Sequence, residues 1–251
     1  VMPEAQAATV NQPVTVDKPG QNVTDDFDVK DCTAPAAVVI AASAAKTTDD
    51  VTNVGTKSIT ATFSNQNKAD GIRVQADYPG TVKLADGLHI ALTSDGNNYD
   101  TTGIILAGVD KSSDSKGSHD ESVNANDEFI ANGNKISDTR VEVGNGTSIT
   151  VDAGLRELEE NENRNRVFAV GLENHFGHMK AGNDVTLSVN SGKFSQSKNT
   201  TYGFYQVFYG DTTIGDRLNS TVKSEVDAKT NRLVISAVTS AHDHPLSLIH
   251  I

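Results

Sequence analysis

The residues of this chain that could do chemistry are its histidines, its clustered aspartates, one cysteine and a tyrosine-rich run. His175 and His178 stand three residues apart, and His242 and His244 stand two apart. On a strand the second pair would share a face, because side chains alternate. A protein metal centre needs a third or fourth ligand beyond two imidazoles, so no metal and no cofactor is expected. Asp95, Asp100, Asp110 and Asp114 supply carboxylates in number. Hydrolysis of a glycosidic bond needs two carboxyls held about 5–10 Å apart, and these sit in polar stretches of unequal length that fix no separation. No catalytic residue is therefore assigned. The acidic stretch 110–127 could attract calcium, but it lacks the repeated glycine-aspartate nonapeptide that builds calcium sites in β-rolls. Cys32 is the single cysteine, so there is no disulfide framework. No neighbouring group would make its thiol reactive. In the run Phe204, Tyr205, Phe208, Tyr209, alternation puts the phenylalanines on one face and the tyrosines on the other. With the phenylalanines inward, Tyr205 and Tyr209 line the outer surface, where they could contact a carbohydrate or protein ligand. Packing between neighbouring strands is the plainer role for them.

The elements that would position these residues recur. Residues 183–210 read as strand, polar loop, strand. Val185, Leu187 and Val189 alternate with polar residues in the first strand, and Gly203 opens the second. Looser copies lie at 58–76, 89–108, 148–171 and 221–238. A further strand precedes several copies at constant spacing: Val51, Val82, Val141, Met179 and Ile214 each stand eight residues before Ile59, Ile90, Ile149, Leu187 and Val222. The next interval varies: Ile59 to Ile72 is 13 residues, Ile90 to Ile104 is 14, Leu187 to Phe204 is 17 and Ile149 to Phe168 is 19. One fixed and one variable connection is the pattern of a solenoid whose insertions emerge on one side. A single unit buries about six apolar side chains at roughly 1.5–3 kcal/mol each. Ordering its residues costs roughly 1–2 kcal/mol apiece, so isolated units do not fold and stacked ones share a core. Three short strands per coil, with β-branched residues inside and Gly or Asn at corners, predict an all-β chain folded as a parallel β-helix with polar loop insertions.

The remaining sequence bounds the function classes. The chain has 251 residues and a net charge of −12, which argues against nucleic acid or an anionic membrane surface as partner. No apolar run reaches the length of a transmembrane helix. Ala5-Gln6-Ala7 has the small-x-small pattern of a signal-peptide cleavage site, so residues 1–8 read as the remnant of an export signal. Residues 9–50 read as an N-terminal cap or a disordered leader, and 51–240 as the β-helix. Segment 109–135 has little to bury and is expected to be a surface loop, while 154–166 has helix formers enough for one turn. The last residues, 246–251, read as the translation of a sequencing adapter, in which case the natural protein runs on past about Pro245.

The repeated unit Ile-Thr-x-x, polar loop, x-Gly-Ile/Phe, seen at 58–76, 89–108 and 183–210 together with Asn-Gly-Thr-Ser-Ile-Thr-Val at 145–151, resembles the passenger regions of bacterial autotransporters, the type V secreted adhesins. The resemblance covers roughly 51–240. It implies a right-handed parallel β-helix displayed at the cell surface or released, exported through an outer-membrane β-barrel translocator. It further implies a stalk-like and binding role toward a surface protein or glycan of a host or neighbouring cell. The ten-residue membrane strands of such a barrel are not found in these residues. A secreted polysaccharide-active β-helix enzyme and an S-layer or fibre component are the alternatives. The first would be favoured if Asp, Lys and Arg converged on one face.

Overall fold

A computed structural model describes residues 8–63, 68–75, 77–94, 100–107, 137–153, 166–194, 198–207, 210–226, 232–241 and 247–250. These residues form three parallel sheets. Sheet A takes β1 (Thr9–Val10), β3 (Asp26–Val29), β6 (Ser58–Phe63), β9 (His89–Ser94), β12 (Ser148–Asp152), β15 (Thr186–Phe194) and β18 (Asn219–Val226). Sheet B takes β2 (Val14–Val16), β4 (Ala36–Ile40), β7 (Lys68–Val74), β10 (Asp100–Leu106), β13 (Arg166–His175), β16 (Lys198–Val207) and β19 (Arg232–Ala241). Sheet C takes β5 (Val51–Val54), β8 (Thr81–Leu84), β11 (Arg140–Val143), β14 (His178–Ala181), β17 (Gly210–Ile214) and β20 (Ser247–His250). From β5 onward the chain visits C, A and B in turn, each strand lying parallel to its counterpart one coil earlier. The fold is a parallel β-helix, as the repeats predict. Residues 9–50 join the same stack: β1 to β4 pair into sheets A and B, and Val23 bridges to Val54 beside sheet C. Residues 247–250 form β20 beside β17.

One core runs the length of the stack. Ile59, Ile90, Ile149 and Leu187 are paired rung to rung in sheet A and are each 0% exposed. Ile72, Ile104, Leu172 and Phe204 form the facing column in sheet B. This register corrects three readings of the repeat. Leu172, not Phe168, is the counterpart of Ile104, because Phe168 pairs with Asp100. The sheet A to sheet B connection in that coil is therefore longer than the sequence spacing suggested. Thr52, not Val51, matches Val82; Thr52 is buried whereas Val51 is 38% exposed. In the last coil Thr212 and Ser220, not Ile214 and Val222, are the counterparts of Met179 and Leu187, since Ile214 pairs with Ala181 and Val222 with Val189.

The reason for the second difference lies at the corner between sheets C and A. Four coils turn it through one left-handed residue: Gly87 (φ 70°), Gly146 (66°), Asp184 (56°) and Arg217 (60°). The β5–β6 corner has no such residue and is one shorter. The full corners are tied by an amide ladder. Asp86 Oδ1 accepts the Asn145 N–H, Asn145 Oδ1 accepts the Asn183 N–H, and Asn183 Oδ1 accepts the Asp216 N–H, each at 2.8 Å. Local Asx chemistry at turns thus becomes a coil-to-coil link. Where the corner residue is not glycine, Arg217 grips Asp184 with two hydrogen bonds (2.6 and 3.0 Å).

A glycine column sets the shape of sheet B. A Cβ at Gly71 would lie 2.6 Å from the Gly103 carbonyl oxygen and 3.1 Å from Ile90 Cγ2. One at Gly171 would lie 2.7 Å from the Gly203 carbonyl and 3.3 Å from Leu187 Cδ2. The glycines face the interior, where sheets A and B come too close for a side chain. The next residue, Ile72 in one coil and Leu172 in another, also reaches the core. Each strand therefore steps over its glycine, which leaves Asp70 and Arg73, three apart, on the same outer side in contact.

Candidate functional site

The chemistry-bearing residues collect on the outer face of sheet B. Sheet A alternates buried and open positions, as in β6 and β9, whereas β7 and β10 are buried at every position after the first. A strand buried on both sides reads as a near-continuous run with no period-2 polarity. Ala-Asp-Gly-Ile-Arg-Val (69–74) and Thr-Thr-Gly-Ile-Ile-Leu (101–106) are such runs. That is the sequence signal which could have identified this face.

Register places Arg73, Ile105, Glu173 and Tyr205 in one outward column. Asp70, Thr102, Val170 and Tyr202 make the next. Arg73 Nη1 lies 3.1 Å from Asp70 Oδ2, with side chains 8% and 2% exposed. His175 Nε2 lies 2.8 Å from Glu173 Oε2, with side chains 2% and 0% exposed. Ionisable groups are held at this depth only beside a partner. Beside them Phe168, Tyr202 and Tyr205 form an aromatic cluster, with centroids 5.6 Å apart for Phe168–Tyr202, 5.5 Å for Phe168–Tyr205 and 4.6 Å for Tyr202–Tyr205.

Tyr205 is thus not the exposed contact residue of the sequence reading. It does leave the core on the side opposite Phe204, but it is 1% exposed and packed against the neighbouring coil through Phe168. Tyr209 and Phe208 lie outside the described residues, as do Asp95, Asp110, Asp114, His242, His244 and the stretches 109–135 and 154–165. Asp100 opens β10, opposite Lys68 and Phe168. His175 and His178 fall on different sheets: His178 Nδ1 faces Asp211 at 3.3 Å in β17, half exposed, and His175 pairs with Glu173. Among the described residues no group of three or more His, Cys, Asp or Glu could hold a metal ion. Cys32 is buried, its Sγ 3.5 Å from the Ala34 carbonyl. Burial pushes its thiol pKa up despite that contact, which keeps it un-ionised at neutral pH.

Two buried amides brace the corner between sheets B and C. Asn174 Nδ2 donates to the Gly177 carbonyl (3.1 Å) and to Thr212 Oγ1 (3.0 Å), and its Oδ1 accepts the Gly177 N–H (3.2 Å). One coil on, Gln206 Nε2 donates to the Gly210 carbonyl (3.2 Å) and its Oε1 accepts from Thr212 (2.6 Å). Between Asn174 and Gly177 the chain passes through Phe176 in the left-handed region (φ 60°), 6% exposed. A bulky residue there is strained, and the amide clamp holds it.

The other two outer faces are open. Sheet C presents charge, with Lys83, Glu142 and Lys180 side by side along one row. They border a groove of about 260 Å³ whose wall includes Gly144 and Gly182. Sheet A presents hydroxyls. Compared with known proteins, the chain matches no family model, no curated protein and no solved structure.

Proposed function

We propose that this chain is the stalk of an exported, surface-displayed adhesin of the autotransporter type, binding a surface protein or glycan of another cell. The observation that supports the reading is mechanical. Parallel coils share one unbroken core and three ladders of hydrogen bonds, so bending the stack would break rungs on one side and open the core on the other. In every coil from β6 to β19 the residues joining sheet A to sheet B leave from the same corner, so those anchoring points form a single line along the rod. One further long segment, between Leu106 and Arg140, leaves instead from the corner between sheets B and C, so insertions emerge along two edges and not one. A stiff support carrying variable segments along its edges is what presentation to another surface requires. The acidic charge of −12 suits a protein that stays soluble outside the cell. The direct test is to raise antibody against recombinant 8–241 and probe intact cells carrying the gene, before and after protease shaving. Loss of signal on shaving supports display; antigen that persists until the cells are lysed rejects it.

A second reading is favoured by one specific observation. Asp70, Arg73, Glu173 and His175 share one face of one sheet, the convergence expected of a polysaccharide-active β-helix. Against it, each group lies 2.8–3.1 Å from another of the four and is sunk below the surface, which leaves no open carboxylate facing a substrate. Incubation with uncharged and uronic-acid polysaccharides, following new reducing ends and unsaturated products, separates the two. Turnover that disappears in Glu173→Gln would replace the stalk reading with the enzyme.

A further inference from the structure

The outer face of sheet A differs from ordinary solvated surface in what it lacks. Its central column, Thr60, Ala91, Thr150, Ser188 and Thr221, is paired rung by rung without a break. The column two residues earlier, Ser58 to Asn219 through Ser148 and Thr186, is in the same register. The first register shift falls between Asn190 and Lys193, beyond this patch. On the four inner strands β6, β9, β12 and β15, up to Asn190, Asp152 is the single outward Asp, Glu, Lys or Arg among the described residues. The matching face of sheet C carries Lys83, Arg140, Glu142, Lys180 and Asp211 over a smaller area. In a chain that is 22% charged, this depletion is a property of those four strands; the patch is bounded by Asp28 on β3, beside Thr60, and by Lys223 on β18, beside Asn190.

We propose that this face binds ice. Neighbouring rungs repeat at about 4.8 Å and alternate residues along a strand at about 6.7 Å, which sets hydroxyl groups on a near-rectangular grid. Hydrogen-bonded oxygens in solid water repeat on the same scale in two dimensions. The side chains are short, and Thr adds a methyl beside each hydroxyl, so water held over the face is both anchored and confined. A soluble glycan is normally gripped in a concave site with a few convergent polar groups or an aromatic wall, and among the described residues of these four strands up to Asn190 no outward position holds Phe, Tyr or Trp. A charged polymer would find almost no counter-charge on it. An uncharged, rigid, periodic solid is the ligand whose charge and repeat match. The face is held rigid from below, since the residues alternating with it (Ile59, Ile90, Ile149 and Leu187) are the core. His89 is the one large outward group within the grid.

The inference does not depend on the adhesin reading and is tested with the folded chain. Ice-recrystallisation inhibition and thermal hysteresis are measured against an inert protein at equal mass, with circular dichroism to confirm folding. The expected results are arrested recrystallisation by the parent chain, loss of it in Thr150→Tyr, retention in Lys180→Tyr on sheet C, and a gain in His89→Thr. Ser188→Tyr serves in place of Thr150→Tyr if that variant fails to fold. No inhibition beyond the inert protein, or equal inhibition by parent and Thr150→Tyr, overturns the proposal. So does retention on insoluble cellulose or chitin without an effect on ice, which would assign the face to a polysaccharide.

Discussion

Sheets A and B are built from the same number of parallel strands on the same rungs, yet their outer faces have opposite fates. The outer face of sheet A is open, polar and small. That of sheet B is closed over paired charges and a tyrosine–phenylalanine cluster. The difference shows that a solenoid coil need not have one inside. Sheet A satisfies the simple rule, apolar in and polar out. Sheet B obeys another: both sides are buried, so its outward polar groups must find partners within the protein. A charge substitution should therefore be tolerated on one outer face and not on the other, and this contrast can be broken experimentally.

The largest expected effect is within a single strand of sheet A. Leu187→Asp puts an unpaired carboxylate into the shared core and should cost more than about 4 kcal/mol. Ser188→Asp, one residue on and outward, should stay within about 0.5 kcal/mol. Equal effects in urea titration would reject the register. Next, Arg73→Met removes the guanidinium 3.1 Å from the buried Asp70 carboxylate and should cost about 3–5 kcal/mol. Arg217→Met breaks a bidentate pair, geometrically the fuller of the two but on the exposed corner, and should leave the neutral-pH midpoint almost unchanged. The Arg217 guanidinium holds the Asp184 carboxyl below its usual pKa through hydrogen bonds and charge. That contribution is present above the ordinary aspartate range and fades as pH falls through the lowered value. Whatever small difference Arg217→Met shows from the parent should therefore be confined to neutral pH and vanish in acid, where both have lost the pair. A large neutral-pH loss would show that exposed and buried pairs do not differ here.

Gly171→Ala sharpens the comparison at the line where the two sheets meet. Its Cβ would press on the Gly203 carbonyl and on Leu187, an overpacking expected to cost about 1–3 kcal/mol. An unchanged melt would mean that the coils separate more readily than the ladder implies. The smallest effect is at Tyr78, whose hydroxyl lies 2.8 Å from Thr52 Oγ1 and 3.1 Å from the Thr81 carbonyl. Burial raises its phenol pKa, an effect only partly offset by the Thr52 hydrogen bond. The folded state thus favours the neutral phenol, and the stability this supplies is present below about pH 10 and lost as pH rises through the raised value. Tyr78→Phe should cost about 1 kcal/mol at neutral pH and flatten the alkaline limb of the stability profile. An alkaline limb identical to the parent's would remove Tyr78 from that transition.

Features with a local cause were legible along the chain. Alternation at Val185, Leu187 and Val189 marks a strand open on one side, because pleating forces successive side chains to opposite faces. Asn-Gly at 145–146 marks a corner, because it relieves the left-handed turn there. The recurrence of these units forces stacking, since none can bury its own apolar face. Features that depend on a partner from another coil were not legible there. The counterpart of Ile104 is Leu172 rather than Phe168 because the preceding insertion can lengthen without changing the ladder. The same alternation that sends Tyr205 outward leaves it buried, because Phe168 and Tyr202 from the ladder pack against it. Glu173 and His175, distant in sequence from Arg73, reach the same face only because hydrogen bonding between coils sets the register. Spacing along the chain specifies direction; burial depends on which neighbours arrive, and that is a property of the stack.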